Sequence, residues 1–241
     1  MLYILTALKC EAAALTGLPG QIVVTGVGER CISALEKITL TPQDRVLNVG
    51  CCAGGDKGKA YLACCIENAD TGKRFYPDMR SESSLPEMKL ITSSIVVAGT
   101  EDGILYDMEA ARICEWALKK IAPSKFAVIK VVSDDGSSLP SANEVTQLIR
   151  AYLDEIRIVA ESLDKDSERA DEEVPEDLFE ELKLSQYMRN EFASLWHYCC
   201  ISGRRDELDG FLDSKREEGL IPVKDKRAGK EILDEIYARL R

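Results

Sequence analysis

Histidine is almost absent from this sequence. The one histidine among 241 residues, His197, lies between Trp196 and Tyr198 in the C-terminal region, where we expect it to have a packing role. Ser-His and Cys-His catalytic pairs need a histidine as their base. Such pairs are therefore disfavoured in the rest of the chain.

Metal-ligand spacing of cysteine is missing too. The nine cysteines include three adjacent pairs and no CxxC. An odd count without zinc spacing predicts buried thiols and neither a disulfide framework nor a metal site, with a redox role as the alternative.

Long apolar runs and clustered basic residues are also lacking. No stretch approaches the roughly 18 consecutive apolar residues of a membrane span, and the N-terminus lacks the basic segment and cleavage site of an export signal. We therefore expect a cytoplasmic protein with no membrane partner. The net charge is -11, and residues 161–181 contribute eleven acids against two bases. Without a basic stripe, nucleic acid is not an expected partner.

The first 165 residues alternate β-branched runs with helical patterns, which predicts an α/β domain with a largely parallel sheet. The runs are apolar almost throughout, as in strands covered by helices on both faces. Helices are predicted after the GVG turn at 26–28, after Asp107 as N-cap, and after Ser141, which forms a capping box with Glu144. The predicted strands are residues 3–8, 21–26, 45–50, 59–67, 89–94 and 125–132.

The C-terminal region has a different pattern. An acidic link follows the α/β domain, and residues 174–241 then read as three amphipathic helices with glycine stops at Gly203 and Gly219. The sequence thus predicts two domains, an α/β domain at 1–165 and a helical appendage at 174–241.

Polar segments follow four of the predicted strands. In an open α/β sheet, ligands bind at the carboxyl ends of the strands. Glu11 follows the first strand, the GVG turn the second, GCCAGG (50–55) the third and SDDGSS (133–138) the last. The glycines expose backbone N–H groups that can hold an anion or a sugar oxygen, although tight turns also need glycine for structural reasons.

Three carboxylates in this region have both a structural and a functional interpretation. Asp134, beside Asp135, is either part of a solvated turn or a proton donor. Glu109 either complements the macrodipole at a helix start or accepts two hydrogen bonds from a vicinal diol such as that of ribose. Glu11 has apolar neighbours, where an ionised carboxylate is costly unless it has a partner or a function.

In this order, the segments ALKCEA, TGVGERC, LNVGCCAGG, YDMEAA and VVSDDGS resemble the nucleoside phosphorylase/nucleosidase superfamily, and particularly its 5'-methylthioadenosine/S-adenosylhomocysteine nucleosidase branch, in a shortened form. The resemblance covers residues 1–165. It implies a three-layer fold with a mixed, mostly parallel sheet, and cleavage of the N-glycosidic bond of a purine-type nucleoside without a metal or organic cofactor.

The resemblance also implies roles for individual residues. Asp134 matches the acid that donates toward purine N7, and Ser133 the residue that helps to place it. Met108 and Glu109 match the pair that holds the ribose, and Glu11 matches the base that activates water.

Base stacking and the identity of the nucleophile are less defined. Phe75 or Tyr76 is a candidate for stacking on the base, with a surface hairpin as the alternative interpretation. Arg30, together with Gly28 and Gly54, keeps a phosphate site open, because a guanidinium suits bidentate oxyanion binding. The resembled phosphorylases carry GDPxR where this sequence has LKCEA, so water is favoured as nucleophile and phosphate stays open as a co-substrate.

A function of another class is a nucleoside-binding or regulatory protein with little turnover. Its helical appendage would dock a protein partner through an apolar face of Phe192, Leu195, Trp196 and Phe211, with packing of these residues on the main domain as the equal alternative. Homo-oligomerisation is open in either case.

Overall fold

The chain divides into two compact units, Met1–Ser167 and Glu168–Arg241. The structure is a computed structural model that describes residues 1–77, 83–97, 99–163 and 174–239. Within these residues, all strands belong to the first unit and the second is helical. The predicted mixed α/β fold with C-terminal helices is confirmed. In the described part of the chain, no helix is long and apolar enough to cross a membrane.

Eight strands form one mixed sheet. Five of the eight strand pairings are parallel and three are antiparallel. Two of the strands, β5 and β7, are short and have no counterpart among the strands predicted from the sequence. The strands are β1 Leu2–Thr6, β2 Gln21–Val24, β3 Arg45–Ala53, β4 Ala60–Asn68, β5 Arg74–Phe75, β6 Glu87–Thr92, β7 Ile104–Asp107 and β8 Phe126–Asp134.

Five of these strands close into a ring. β3 pairs with β8, β8 with β4, β4 with β6, β6 with β7, and β7 returns to β3. β1 and β2 extend the sheet outward from β3 in parallel, and β5 forms a hairpin with β4. The closing contact is the antiparallel pair Ala53–Tyr106, which brings the carboxyl ends of β3 and β7 together.

Helices cover both sides of the sheet. One hydrophobic cluster joins the strands to α2 and α3, and a second joins them to α1, α4 and α5. This double cover explains why the strand sequences are apolar almost without interruption. The helices of this unit are α1 Lys9–Ala14, α2 Arg30–Leu35, α3 Ala110–Ala117, α4 Ala142–Arg150 and α5 Leu153–Ser162, with a 3-10 turn at Pro123–Lys125.

Helix starts agree with the sequence in one case and differ in another. At α4, the Ser141 hydroxyl accepts from the Glu144 N–H and the Glu144 carboxylate accepts from the Ser141 N–H, so the predicted capping box is confirmed. At α3, the N-cap is Glu109 and not Asp107. The Asp107 carboxylate still accepts from the Ala110 N–H at 2.9 Å, so it does bind the helix start.

The second unit contains four helices in its described residues. They are α6 Glu176–Glu181, α7 Gln186–Ile201, α8 Arg205–Glu217 and α9 Lys226–Arg239. The sequence predicts three, because it joins the first two into one amphipathic run. The break is a turn in which Lys183 has φ +47, followed by Ser185, whose hydroxyl caps α7. Gly203 and Gly219 end α7 and α8 with positive φ, as predicted.

The four apolar residues that were expected to form a docking face on the appendage are buried. Phe192, Leu195, Trp196 and Phe211 are at most 7% exposed. The Phe192 ring packs against Trp196 with centroids 6.0 Å apart, and the Arg205 guanidinium lies 3.5 Å from the centroid of the Trp196 ring. The apolar docking face predicted from these residues is therefore wrong, because the amphipathic helices bury them.

All nine cysteines are free thiols, four of them buried and five half-buried. Burial raises the pKa of Cys31 to about 11 and of Cys51 to about 12. Such thiols stay protonated and unreactive at neutral pH. The prediction of buried thiols is therefore confirmed for four of the nine cysteines, and the other five are half-buried.

Candidate functional site

A cavity of about 410 Å³ opens where β3, β7 and β8 end. This volume lies in the range of small-molecule sites. Five of the residues singled out from the sequence line it: Glu11, Met108, Glu109, Ser133 and Asp134.

The strand pairings explain why these residues meet. Ala53, at the end of β3, pairs with Asp134 on one side and with Tyr106 on the other. The turn from β7 into α3 therefore brings Glu109 to the same wall as Asp134. α1 follows the parallel strand β1 and adds Glu11.

Glu11 is held by three backbone N–H groups. Its side chain is buried, Oε2 accepts from Ala7 and Leu8 at 2.8 Å, and Oε1 accepts from Cys51 at 2.8 Å. Burial raises the pKa of this carboxyl, and the three hydrogen bonds and Lys130 oppose that rise.

Gly50 allows this arrangement. A Cβ at position 50 would lie 3.0 Å from Glu11 Oε1 and 3.4 Å from its Cδ. Because Gly50 has no side chain, the Glu11 carboxylate can approach β3 and accept from the Cys51 N–H. The GCCAGG segment therefore helps to hold Glu11 in place.

Glu109 is held by the GVG turn. It is 6% exposed, and its Oε1 accepts from the Gly28 N–H at 2.7 Å. Gly28 has φ +62, a left-handed conformation that favours glycine. Within the described residues, Oε2 accepts no hydrogen bond. Burial and the neighbouring Asp107 raise the pKa of Glu109 to about 7.

Asp134 is half-buried and fixed by its neighbours. Its Oδ2 accepts from the Ser133 hydroxyl at 2.7 Å, and its Oδ1 accepts from the Gly136 N–H at 2.9 Å. Asp135 is exposed and accepts from Ser137 in the turn. The two adjacent aspartates therefore differ in surroundings, and only Asp134 lines the cavity.

Lys130 is a site residue that sequence reasoning missed. Its ammonium lies 2.7 Å from Asp107 Oδ2, and the two side chains are 2% and 1% exposed. Asp107 also accepts from the Thr92 hydroxyl at 2.5 Å and from Ala110 N–H. Burial alone would lower the pKa of Lys130, but Asp107, Glu109 and Glu11 outweigh it and the net shift is upward. The available signal was a lysine inside the apolar strand KFAVIKVV, because a buried charge requires a partner.

Apolar side chains surround the cavity mouth. Ile95 is 72% exposed, Val96 64% and Leu139 86%, and all three line the cavity. They lie on two loops that touch at Gly136, where a Cβ would be 2.5 Å from the Val97 carbonyl oxygen. In the sequence, the signal for these exposed apolar residues is the segment SSIVV (93–97), which follows β6.

The proposed base-stacking residues lie elsewhere. Phe75 pairs with Ile66 in the β4–β5 hairpin and packs on the first hydrophobic cluster, and Tyr76 is 5% exposed. Neither lines the cavity, whose one aromatic lining residue among those described is Tyr106.

The three residues expected to bind phosphate do not line the cavity either. Arg30 is exposed at the start of α2. The Gly28 N–H is bonded to Glu109. A Cβ at Gly54 would lie 3.1 Å from Leu105 and Val132, so this glycine serves close packing.

The charged groups that line the cavity are four carboxylates and one ammonium. The carboxylates are Glu11, Asp107, Glu109 and Asp134, and the ammonium is Lys130, which is paired with Asp107. Such a set can accept hydrogen bonds from hydroxyl groups and move a proton, and it disfavours a bound dianion.

No protein-family model matches the chain, and no curated protein matches it. Many solved structures are similar, among them the following three. A 5'-methylthioadenosine/S-adenosylhomocysteine nucleosidase from Neisseria meningitidis, in complex with methylthio-immucillin-A, has a TM-score of 0.51 at 14% identity, over 68% of this chain and 98% of that one. An MTAN from Chlamydia trachomatis bound to MTA has 0.47 at 17%, over 68% and 93%. The nucleosidase from Helicobacter pylori has 0.47 at 10%, over 67% and 95%.

The likeness to the Neisseria protein extends over nearly all of that protein, with a sequence identity too low to carry more than the fold. The closed ring of strands, the helices on both sides of it and the cavity at the strand ends all lie in the first unit of this chain. The chain therefore has a nucleoside phosphorylase/nucleosidase-like fold.

Proposed function

We propose that the chain hydrolyses the N-glycosidic bond of a purine-type nucleoside. The observation that carries the proposal is the meeting of Glu11, Glu109 and Asp134 in one cavity. Glu11 lies in the first turn of α1, Glu109 is the N-cap of α3 and Asp134 ends β8, and each carboxylate accepts from at least one backbone N–H. Cleavage of this bond builds positive charge on the ribose and negative charge on the leaving base. Carboxylates near the sugar and an acid near the base each lower the barrier.

Glu109 is the proposed ribose-binding residue. With Oε1 fixed by Gly28, Oε2 remains for a hydroxyl of the sugar. An ionised carboxylate accepts hydrogen bonds from both members of a vicinal diol, and burial strengthens those bonds. Met108, half-buried beside Gly28, would pack against the sugar ring.

Asp134 is the proposed acid for the leaving base. The Ser133 hydroxyl and the Gly136 N–H orient its carboxyl group. Asp134 pairs with Ala53, which pairs on its other side with Tyr106, and this supports binding of the base against the same wall. Protonation of the departing base at N7 would occur from Asp134.

Water is the proposed nucleophile, activated by Glu11. Burial raises the pKa of Glu11, which makes it a stronger base than an exposed carboxylate. Phosphate is disfavoured because four carboxylates line the cavity and Arg30 does not. In this scheme the chain needs no metal or organic cofactor. The Neisseria protein was determined with methylthio-immucillin-A, so methylthioadenosine is the first substrate to test.

The test is release of free base from methylthioadenosine, adenosine, inosine and uridine, each with and without phosphate. We expect phosphate-independent release from a purine nucleoside. Asp134→Asn should reduce the rate by about 10² to 10⁴, while Asp135→Asn, the matched control at the exposed neighbour, should retain it. Strict phosphate dependence would refute water as the nucleophile, and full activity of Asp134→Asn would refute the assigned acid. Binding without cleavage of any substrate would favour the nucleoside-binding protein.

A further inference from the structure

Asn48 has an unusual environment for a buried amide. It is 2% exposed, lies in the middle of β3 and lines the cavity. Its Nδ2 donates to the Leu5 carbonyl at 3.0 Å. Its Oδ1 is buried and has no hydrogen-bond partner among the described residues. Leaving a buried acceptor unpaired is destabilising.

An amide flip does not remove the problem. With the two terminal atoms exchanged, the oxygen would face the Leu5 carbonyl oxygen, and a donor would be unpaired in place of an acceptor. The orientation shown is therefore the better one, and Oδ1 requires a donor that the described chain does not supply.

The Lys130 ammonium has the complementary property. The ammonium has three N–H donors, and one of them donates to Asp107 Oδ2. Within the described residues, no second acceptor contacts the ammonium. β3 and β8 are parallel neighbours in which Gly50 pairs with Lys130 and Asn48 pairs with Val128. Asn48 and Lys130 are thus diagonal neighbours on the same face, about 8 Å apart at the backbone by ordinary strand spacing and rise. Gly50, which lies beside both of them, has no side chain, and the Glu11 carboxylate takes up part of the space above it, with Oε1 3.0 Å from where a Cβ would lie.

We propose that Asn48 and Lys130 together bind one neutral hydroxyl oxygen. The O–H group donates to Asn48 Oδ1, and the same oxygen accepts from the Lys130 ammonium. A carboxylate cannot fill this place, since it does not donate to the amide oxygen, and an ammonium ion cannot, since it does not accept from Lys130. A hydrogenphosphate ion has both a donor and acceptors, but the four carboxylates that line the cavity disfavour it. The ligand is therefore a water molecule or an alcohol.

This assignment makes Asn48 a positioning residue for the reaction proposed above, and its kinetic part rests on that function. Lys130 is the one ammonium that lines the cavity in the described chain, and it partly neutralises Glu11, Asp107 and Glu109. An oxygen shared with Asn48 would fix the direction of the ammonium between these carboxylates. Without it, the ammonium could turn wholly toward Asp107.

The first experiment does not use turnover. Crystal structures of the full chain should be determined without ligand and with methylthioadenosine or adenine bound. We expect an oxygen within about 2.6 to 3.2 Å of both Asn48 Oδ1 and Lys130 Nζ. Its presence without ligand identifies a resident water, and its presence only with the nucleoside identifies a sugar hydroxyl. If neither structure holds such an oxygen, the proposal is wrong.

The second experiment compares Asn48→Leu with Asn68→Leu. Leucine keeps the branching of asparagine and removes the acceptor. Asn68 is likewise buried, but its Oδ1 caps the β4–β5 turn and it does not line the cavity. For a resident water, kcat should fall by about tenfold or more in Asn48→Leu with little change in KM, and for a sugar hydroxyl KM should rise instead. Kinetic constants within about twofold of those of Asn68→Leu would overturn the proposal. A wild-type chain without turnover would refute the proposed function and leave the crystallographic result decisive for Asn48.

Discussion

The buried pair of Lys130 and Asp107 gives the most quantitative prediction. Its atoms are 2.7 Å apart and both side chains are at most 2% exposed. Lys130→Met keeps the length of the side chain and removes the charge, so Asp107 remains buried without a counterion beside two further carboxylates. Removing one partner of a buried pair costs about 3 to 5 kcal/mol in the free energy of unfolding.

A less buried pair in the same unit provides the matched control. Lys73 lies 2.6 Å from Glu115, but both side chains are 35% exposed. Surface pairs contribute about 0 to 1 kcal/mol, so Lys73→Met should change the free energy of unfolding by no more than that. The two ion pairs have nearly the same N–O distance, so a difference between Lys130→Met and Lys73→Met in the free energy of unfolding reports the effect of burial.

Urea unfolding should be followed by the fluorescence of Trp116, in a background where Trp196→Phe removes the indole of the second unit. This keeps the signal in the unit that holds Lys130. The double variant Lys130→Met/Asp107→Asn should recover part of the loss, because the new amide oxygen can still accept from the Ala110 N–H while the amide NH2 donates to the Thr92 hydroxyl oxygen. Equal effects of Lys130→Met and Lys73→Met would refute the view that Lys130 compensates buried charge.

Two further predictions concern Glu109 and Glu11. The pKa of Glu109 is raised to about 7, so the folded chain keeps its proton after the unfolded chain has lost it near pH 4.5, and its contribution to stability falls as pH rises between these values. Because ribose binding needs the ionised form, kcat/KM should rise about tenfold from pH 6 to pH 8, and Glu109→Gln should abolish that rise. A flat profile in the wild type would contradict the role of Glu109. Gly50→Ala should push Glu11 from the Cys51 N–H and lower kcat by about tenfold or more. Gly55→Ala, where a Cβ meets its nearest atom at 3.7 Å, should have little effect in the same steady-state assay, and equal losses in both variants would argue against a specific seat for Glu11.

The residues that line the cavity could be found from sequence where they follow a strand. Glu11 and Asp134 come directly after apolar runs, and parallel strands bring such positions to one edge. Glu109 was found through its place at a helix start. These inferences do not depend on the order of the strands in the sheet. They depend only on the position of each residue after a strand or at a helix start, and such positions meet at one edge.

Other features depend on pairings that local patterns do not reveal. β7 has four residues, and its antiparallel contact with β3 is a single pair, so no periodicity announces it. Lys130 was overlooked because the residues around it in the strand are apolar, and the lysine itself was not taken as evidence of a buried charge. Phe75 and Tyr76 were chosen by chemical type, and the β4–β5 hairpin carries them away from the cavity. In the appendage, amphipathic patterns show which faces are apolar but not that other helices cover them.

The ring of strands has a consequence for how the chain is made. β8 is the last of the described strands to be synthesised, yet it lies between β3 and β4, whose paired residues precede it by 67 to 81 positions. Until β8 inserts, β3 and β4 each present an unpaired edge, and such edges recruit other chains. Because the pairings are distant in sequence, closure is also expected to be slow. A chain released before residue 134 would therefore combine two open edges with an incomplete cavity, and pairing of β8 with β3 and β4 would close both edges.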